Sequence, residues 1–141
     1  PKRNFTSKLL LSEIKKINQV EVEPNIILLG DFNEDPDDNN VLLLESAGLT
    51  NLMMAMIDNG SMSTYTYRGT NYLYDQIIVS NSILDKKGFT LADSSAYILD
   101  LPKYRQQKGK YKNYPFRFWA GNKLLGGYSD HLAVKVDFVI K

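Results

Sequence analysis

Ile26-Ile27-Leu28-Leu29 is an apolar run without alternation, and Gly30 stops it before Asp31-Phe32-Asn33. An unalternating run of strand length predicts a strand covered on both faces, because alternation is the mark of a strand with one wet face. A strand that ends this way delivers a carboxylate and a carboxamide to the rim of a sheet, where polar chemistry can be done. Two later segments also tie an apolar strand to acidic residues: Tyr74-Asp75-Gln76-Ile77-Ile78-Val79-Ser80 and Tyr128-Ser129-Asp130-His131-Leu132-Ala133-Val134.

With 141 residues, 43% of them hydrophobic, the chain has the size of one domain. A domain of that size buries roughly two thirds of its unfolded surface. The 17 basic residues nearly cancel the 16 acidic ones, so net charge gives no argument for a polyanion partner. The absence of cysteine excludes disulfides, thiolate metal sites and cysteine nucleophiles. No apolar stretch approaches the roughly 20 residues that span a bilayer, and no leader pattern is present. Because the chain starts at Pro1 and not at methionine, it is expected to be a piece of a longer protein.

Thr6 or Ser7 is expected to cap a helix with apolar positions at Leu9, Leu10, Ile14, Ile17 and Val20, closed by Pro24. Asn33 to Asn40 reads as a polar loop, and Val41 to Ala47 as a short helix ended by Gly48. Leu49 to Ile57 is strand or short helix, and Asp58 to Ser61 a turn. Thr64 to Arg68 alternates, Gly69 to Asn71 turns and Tyr72 to Ser80 returns, which predicts a hairpin. Ser82 to Lys87 reads as a turn or short helix and Ala96 to Leu99 as a short strand. Pro102 to Gly127 is irregular, basic and aromatic, and Ser129 to Ile140 closes the chain as an alternating strand.

Asp31, Asn33, Asp75, Asp130 and His131 all adjoin strands that can fix them in place. Carboxylate and carboxamide oxygens suit hard divalent cations such as Mg²⁺ or Mn²⁺. The only histidine can move a proton near neutrality or, when protonated, stabilise a phosphoryl oxygen. A carboxylate on its other nitrogen would fix the tautomer.

Gly30-Asp31-Phe32-Asn33, Asp75 to Ser80 and Ser129-Asp130-His131, in this order and spacing, resemble the three C-terminal motifs of the endonuclease/exonuclease/phosphatase superfamily. Thr64 to Gly69 and Tyr111 to His131 further resemble a bacterial branch of uncharacterised members. The resemblance implies an α/β (α+β) fold: the C-terminal half of a four-layer αββα sandwich, with a mixed, mainly antiparallel sheet and flanking helices. It implies that residues 1–141 are the C-terminal portion of one domain, whose N-terminal half would carry a metal-binding glutamate. Asp31 would orient or deprotonate the attacking water and share the metal. Asn33 would bind the scissile phosphate or help hold a metal-bound water, Asp75 would hold His131, His131 would contact the phosphate and balance charge in the transition state, and Asp130 would lie in the metal shell. The implied reaction is Mg²⁺-assisted (or Mn²⁺-assisted) in-line hydrolysis of a phosphoester, with nucleic acid among the candidate substrates. The piece alone is expected to hydrolyse little and to need either its missing half or a second copy of itself.

Other readings stand beside these. A polyanion-binding module without catalysis would use Lys103 to Trp119, which holds basic and aromatic residues and no acidic one; the alternative for that segment is a long surface loop whose aromatics pack on the domain. A sphingomyelinase or phosphoinositide phosphatase would use the same core residues as a nuclease. Arg68, at the end of an alternating strand, is a candidate phosphate contact, and Glu34 to Asp38 reads as a solvated acidic loop.

Overall fold

The computed structural model describes residues 2–57, 62–92 and 96–141. The expected turn at Asp58 to Ser61 lies outside these. In chain order the elements are α1 (Lys2–Val20), β1 (Ile27–Asp31), α2 (Asn39–Glu45), β2 (Leu49–Asn51), β3 (Tyr65–Tyr67), β4 (Thr70–Tyr72) and β5 (Asp75–Ser80). They continue with β6 (Phe89–Leu91), β7 (Tyr97–Ile98), β8 (Trp119–Ala120), β9 (Lys123–Leu124), β10 (Val134–Lys135) and β11 (Phe138–Ile140). Short 3₁₀ turns occupy Met54–Met56, Asn81–Leu84 and Pro102–Tyr104. The class is α+β with antiparallel pairing between the strands, as the sequence implies.

β5 is the centre of the molecule, flanked by β1 and β2 in the order β1-β5-β2. Its side chains alternate between two cores. Ile78 joins Leu11, Ile14, Val41, Leu44 and Leu49 beneath the two helices. Ile77 and Val79 join Met53, Leu73, Ile83 and Leu91, with Ile98, Val134, Val136 and Phe138 packed around them. Ile77, Ile78 and Val79 are fully buried, and each such side chain contributes about 1.5–3 kcal/mol of transfer free energy. This is why β5 reads as an unbroken apolar run.

β1 reads the same way but behaves differently. It lies at the sheet edge, and Ile27 and Leu29 are 39% and 65% exposed, so the expectation of a strand covered on both faces fails. Leu28 meets the helix-side core, whereas nothing among the described residues covers Leu29. The opening helix also differs from its reading. It begins at Lys2, which leaves Thr6 inside it with Oγ1 donating to the Lys2 carbonyl at 3.2 Å. Its buried positions are Ser7, Leu11 and Ile14, and Leu9 and Ile17 face solvent.

The hairpin is shorter than expected. β3 pairs with β4 across a two-residue turn at Arg68 and Gly69, whose φ angles of 49° and 88° give the doubly left-handed turn that suits strand twist. Leu73 and Tyr74 then break the run, and β5 pairs elsewhere. The terminal strand also divides, because β10 pairs with β7 and β11 with β6. Two partners cannot share one uninterrupted register.

Arg105 fastens the basic segment to the domain through a two-pronged contact with Asp100, at 2.7 and 2.8 Å, and a bond to the Asn113 carbonyl at 2.7 Å. The Arg105 hydrogen bonds hold the Asp100 carboxyl below its ordinary value of 3.8. A depressed carboxyl contributes stability above its unfolded pKa and loses it as the pH falls through the folded one. Asp100 is half exposed, so screening limits the effect. Asp100→Asn is expected to cost under about 1 kcal/mol at pH 7. The difference from wild type should shrink in urea titrations as the pH falls below the ordinary carboxyl value of 3.8.

Candidate active site

The register of β1 on β5 sets Asp31 directly opposite Asp75. Facing carboxylates on neighbouring strands repel one another, and an arrangement of that kind persists only where something else holds it. Here that is His131. Its Nδ1 lies 2.7 Å from Asp75 Oδ2, and its Nε2 points toward Asp31 Oδ2 at 4.0 Å. The acceptor on Asp75 selects the Nδ1–H tautomer, which leaves the Nε2 lone pair, or a proton carried there, on the side of Asp31.

Several local features place this ring. Tyr65 forms an isolated bridge with His131, and its ring stacks on the imidazole with centroids 4.7 Å apart. Ser129 Oγ accepts the His131 backbone N–H at 3.0 Å. Thr64, fully buried, joins three segments: Oγ1 accepts the N–H groups of Tyr74 and Asp75, its own N–H donates to the Tyr72 carbonyl at 3.0 Å, and its carbonyl accepts from Leu132 N–H at 2.8 Å. Thr64, Tyr65 and their contacts are not legible in the sequence beyond β alternation, because their roles arise from pairing with residues far along the chain.

The loop after β1 is equally constrained. Gly30 has φ 151° and Asn33 has φ 53°, and the Asn33 N–H donates to Asp31 Oδ1 at 2.8 Å. This bond orients the Asp31 carboxylate and leaves Oδ2 toward His131. Phe32 N–H donates to the Tyr74 carbonyl at 2.8 Å. Asp35 Oδ1 accepts the Leu73 N–H at 2.5 Å, yet burial outweighs that bond and pushes the Asp35 carboxyl up. Fully buried Gln76 completes the anchorage: Nε2 donates to the carbonyls of Glu34 and Leu73, and Oε1 accepts from Asn51 Nδ2 at 3.0 Å. A groove of about 360 Å³ runs along the open edge of β1 from Leu10 and Leu29 to Asp31 and Asn33.

A model of the endonuclease/exonuclease/phosphatase family matches residues 1–140, nearly the whole chain. The chain belongs to the endonuclease/exonuclease/phosphatase family. No curated protein and no solved structure matches it significantly. Members of the endonuclease/exonuclease/phosphatase family are in general hydrolytic phosphoesterases, typically dependent on a divalent metal.

The residues present do not by themselves fit such a metal. Asp75 is engaged by His131, one oxygen of Asp31 is engaged by Asn33, and no group of three or more acidic or imidazole side chains that could hold a metal occurs among the described residues. Asp130 is half exposed and pairs with Arg117 at 3.7 Å. Arg68 sits at the β3–β4 turn with its guanidinium 5.2 Å over the Tyr67 ring. The structure therefore brings Asp31, Asn33, Asp75 and His131 together, and gives Asp130 and Arg68 other neighbours.

Gly127 links this site to the β8–β9 hairpin. A Cβ there would run into the backbone carbonyls of Phe116 and Arg117. Gly127→Ala is expected to cost about 2 kcal/mol by forcing that backbone apart. It should also shift the amide signals of Asp130 and His131; a spectrum superimposable on wild type would contradict the close approach.

Proposed function

We propose that Asp31, Asn33, Asp75 and His131 form the proton-transfer side of a phosphoesterase centre, and that further protein completes it. The observation that carries the reading is the imidazole held by Asp75 at Nδ1 with Nε2 turned to Asp31. A phosphoester seated between Asn33 and His131 would meet a donor on its nonbridging oxygen, and Asp31 would accept the proton of a water aligned opposite the leaving oxygen. As the water oxygen bonds to phosphorus, the ester P–O bond breaks, and charge accumulates on oxygens next to His131. Asp75 fixes the ring and would offset its positive charge whenever Nε2 carries a proton.

Two observations support completion by other polypeptide. Asp31 offers one uncommitted carboxylate oxygen, too few donors for a Mg²⁺ or Mn²⁺ shell. The strand that carries Asp31 also leaves Leu29 two thirds exposed on its open edge, a position that costs free energy unless covered. The completing element is the N-terminal half of the same domain, which would add metal ligands opposite Asp31; a second copy of the chain is the alternative that the test separates.

The test compares the chain alone with the longest natural polypeptide that contains it. Both are assayed on bis(p-nitrophenyl) phosphate, a nucleic acid and a phospholipid, with Mg²⁺ or with chelator. Hydrolysis is expected in the longer protein and should disappear with chelator. The chain alone should be nearly inactive and should self-associate in light scattering. A monomeric, fully active chain would overturn the idea of a shared centre.

A further inference from the structure

The basic segment divides into an anchored half and an outward half. Tyr104, Tyr114 and Phe116 are partly covered and Pro115 is buried, as a loop packed on the domain requires. The hairpin beyond them does the opposite. Phe118, Trp119 and Leu124 are 47%, 54% and 55% exposed. Trp119 lies directly opposite Leu124 in the β8–β9 ladder, so the two side chains share one face, and Phe118 meets Trp119 edge-on at 5.8 Å. No packing within the described residues explains why a two-stranded hairpin should hold an indole and a leucine in water.

The chemistry around that face selects its occupant. Between Pro102 and Gly127 the chain carries seven Lys or Arg residues and no acidic one; Arg105 and Arg117 are paired with Asp100 and Asp130, which leaves the five lysines to set the charge. Lys123 sits on the hairpin itself, next to Leu124 and opposite Ala120. A segment with an excess of positive charge, one lysine of it on the apolar hairpin itself, matches an anionic bilayer surface, which attracts the lysines while its acyl boundary accepts the apolar side chains. Indole prefers that boundary because its ring is apolar and its N–H can still reach water. A single-stranded nucleic acid would explain the aromatic rings but not Leu124, which has no π face on which a base can stack.

We propose that the Phe118–Leu125 hairpin seats this chain on the anionic surface of a phospholipid bilayer, with Trp119 and Leu124 entering the boundary between headgroups and acyl chains. The hairpin base is tied to the site: Tyr128 N–H donates to the Phe116 carbonyl at 2.6 Å, and Arg117 pairs with Asp130, the neighbour of His131. At about 3.3 Å per residue the tip is no more than roughly 16–20 Å from that base. Docking therefore holds His131 within reach of headgroup phosphates.

Trp119 is the only tryptophan of the chain, so its fluorescence reports on the hairpin alone. The probe is unilamellar phosphatidylcholine vesicles, with or without about 30% phosphatidylserine. Trp119 emission should move to the blue on the anionic vesicles and be quenched by lipids brominated on the acyl chain. Leu124→Ser, which keeps the reporter, should weaken partitioning about tenfold or more, and Trp119→Ser should do the same in co-sedimentation. Both positions are exposed, so circular dichroism should be unchanged. About 0.5 M salt should weaken binding through screening. Asp31→Ala should bind vesicles as wild type does, so the failure of the hydrolytic reading and the failure of this one are distinguishable. The proposal is overturned by the absence of a blue shift and of co-sedimentation at millimolar lipid, by undiminished partitioning of Leu124→Ser, or by Trp119 quenching with an oligodeoxynucleotide in place of vesicles.

Discussion

Gln76→Leu is expected to lower the stability of the fold by about 3 kcal/mol, and the Tm by roughly 10 °C for a domain of this size. Leucine nearly matches glutamine in volume, so the packing around β5 changes little. What changes is hydrogen bonding. Gln76 is fully buried, and its loss leaves the carbonyls of Glu34 and Leu73 without that donor and Asn51 Nδ2 without its acceptor. Each buried group stranded in this way costs about 1–3 kcal/mol. Gln107 provides the control, because it also donates to two carbonyls, those of Pro102 and Arg105, but at the surface. Water can replace it there, so Gln107→Leu should stay within about 0.5 kcal/mol of wild type. Thermal denaturation followed by circular dichroism decides between them. Equal melting temperatures for Gln76→Leu and wild type would show that the loop after β1 is not held as described.

The contrast between β5 and β1 explains how far the sequence could be read. Both are apolar runs beside an aspartate, and both were recognisable as strands. Only β5 is fully buried, since a run without alternation reports that both faces are apolar, not that both are covered. Coverage depends on which strand sits at the edge, and that is settled by pairing with residues distant in sequence. The same limit applies to the terminal segment, where alternation from Leu132 to Ile140 identified strand but not its division between two partners. The helix start was missed because Lys2 carries no capping signal. In the site, Gly30-Asp31-Phe32-Asn33, Asp75 and His131 were legible because each adjoins an apolar strand. Thr64, Tyr65 and Gln76 were not, because a threonine, a tyrosine and a glutamine become positioning groups only through the neighbours that the fold gives them. Arg117 was likewise invisible as the partner of Asp130.

The larger functional effect is expected at His131. In the proposed mechanism His131→Ala removes the group that would face the developing phosphoryl charge, and it also frees Asp75 opposite Asp31, which leaves two carboxylates paired across the ladder. Loss of a positioned proton donor costs about 10²–10⁴ in rate, and the unbalanced carboxylates act in the same direction by repelling an anionic substrate. Asp31→Ala should have a comparable effect through loss of the water-orienting carboxylate. Asp75→Asn is expected to be comparably severe, up to about 10⁴, because an amide no longer selects the Nδ1–H tautomer of His131 or balances its charge.

Residues that act as a unit lose activity non-additively, so the double variant Asp31→Ala/His131→Ala should be little worse than either single one. The most direct measurement is the Mg²⁺-dependent hydrolysis of bis(p-nitrophenyl) phosphate by the longest polypeptide containing this chain, in wild type, both single variants and the double. Each single substitution should lose at least about a hundredfold, and the double should be non-additive. Activity near the wild-type level in either Asp31→Ala or His131→Ala would contradict a phosphoesterase centre built on these residues.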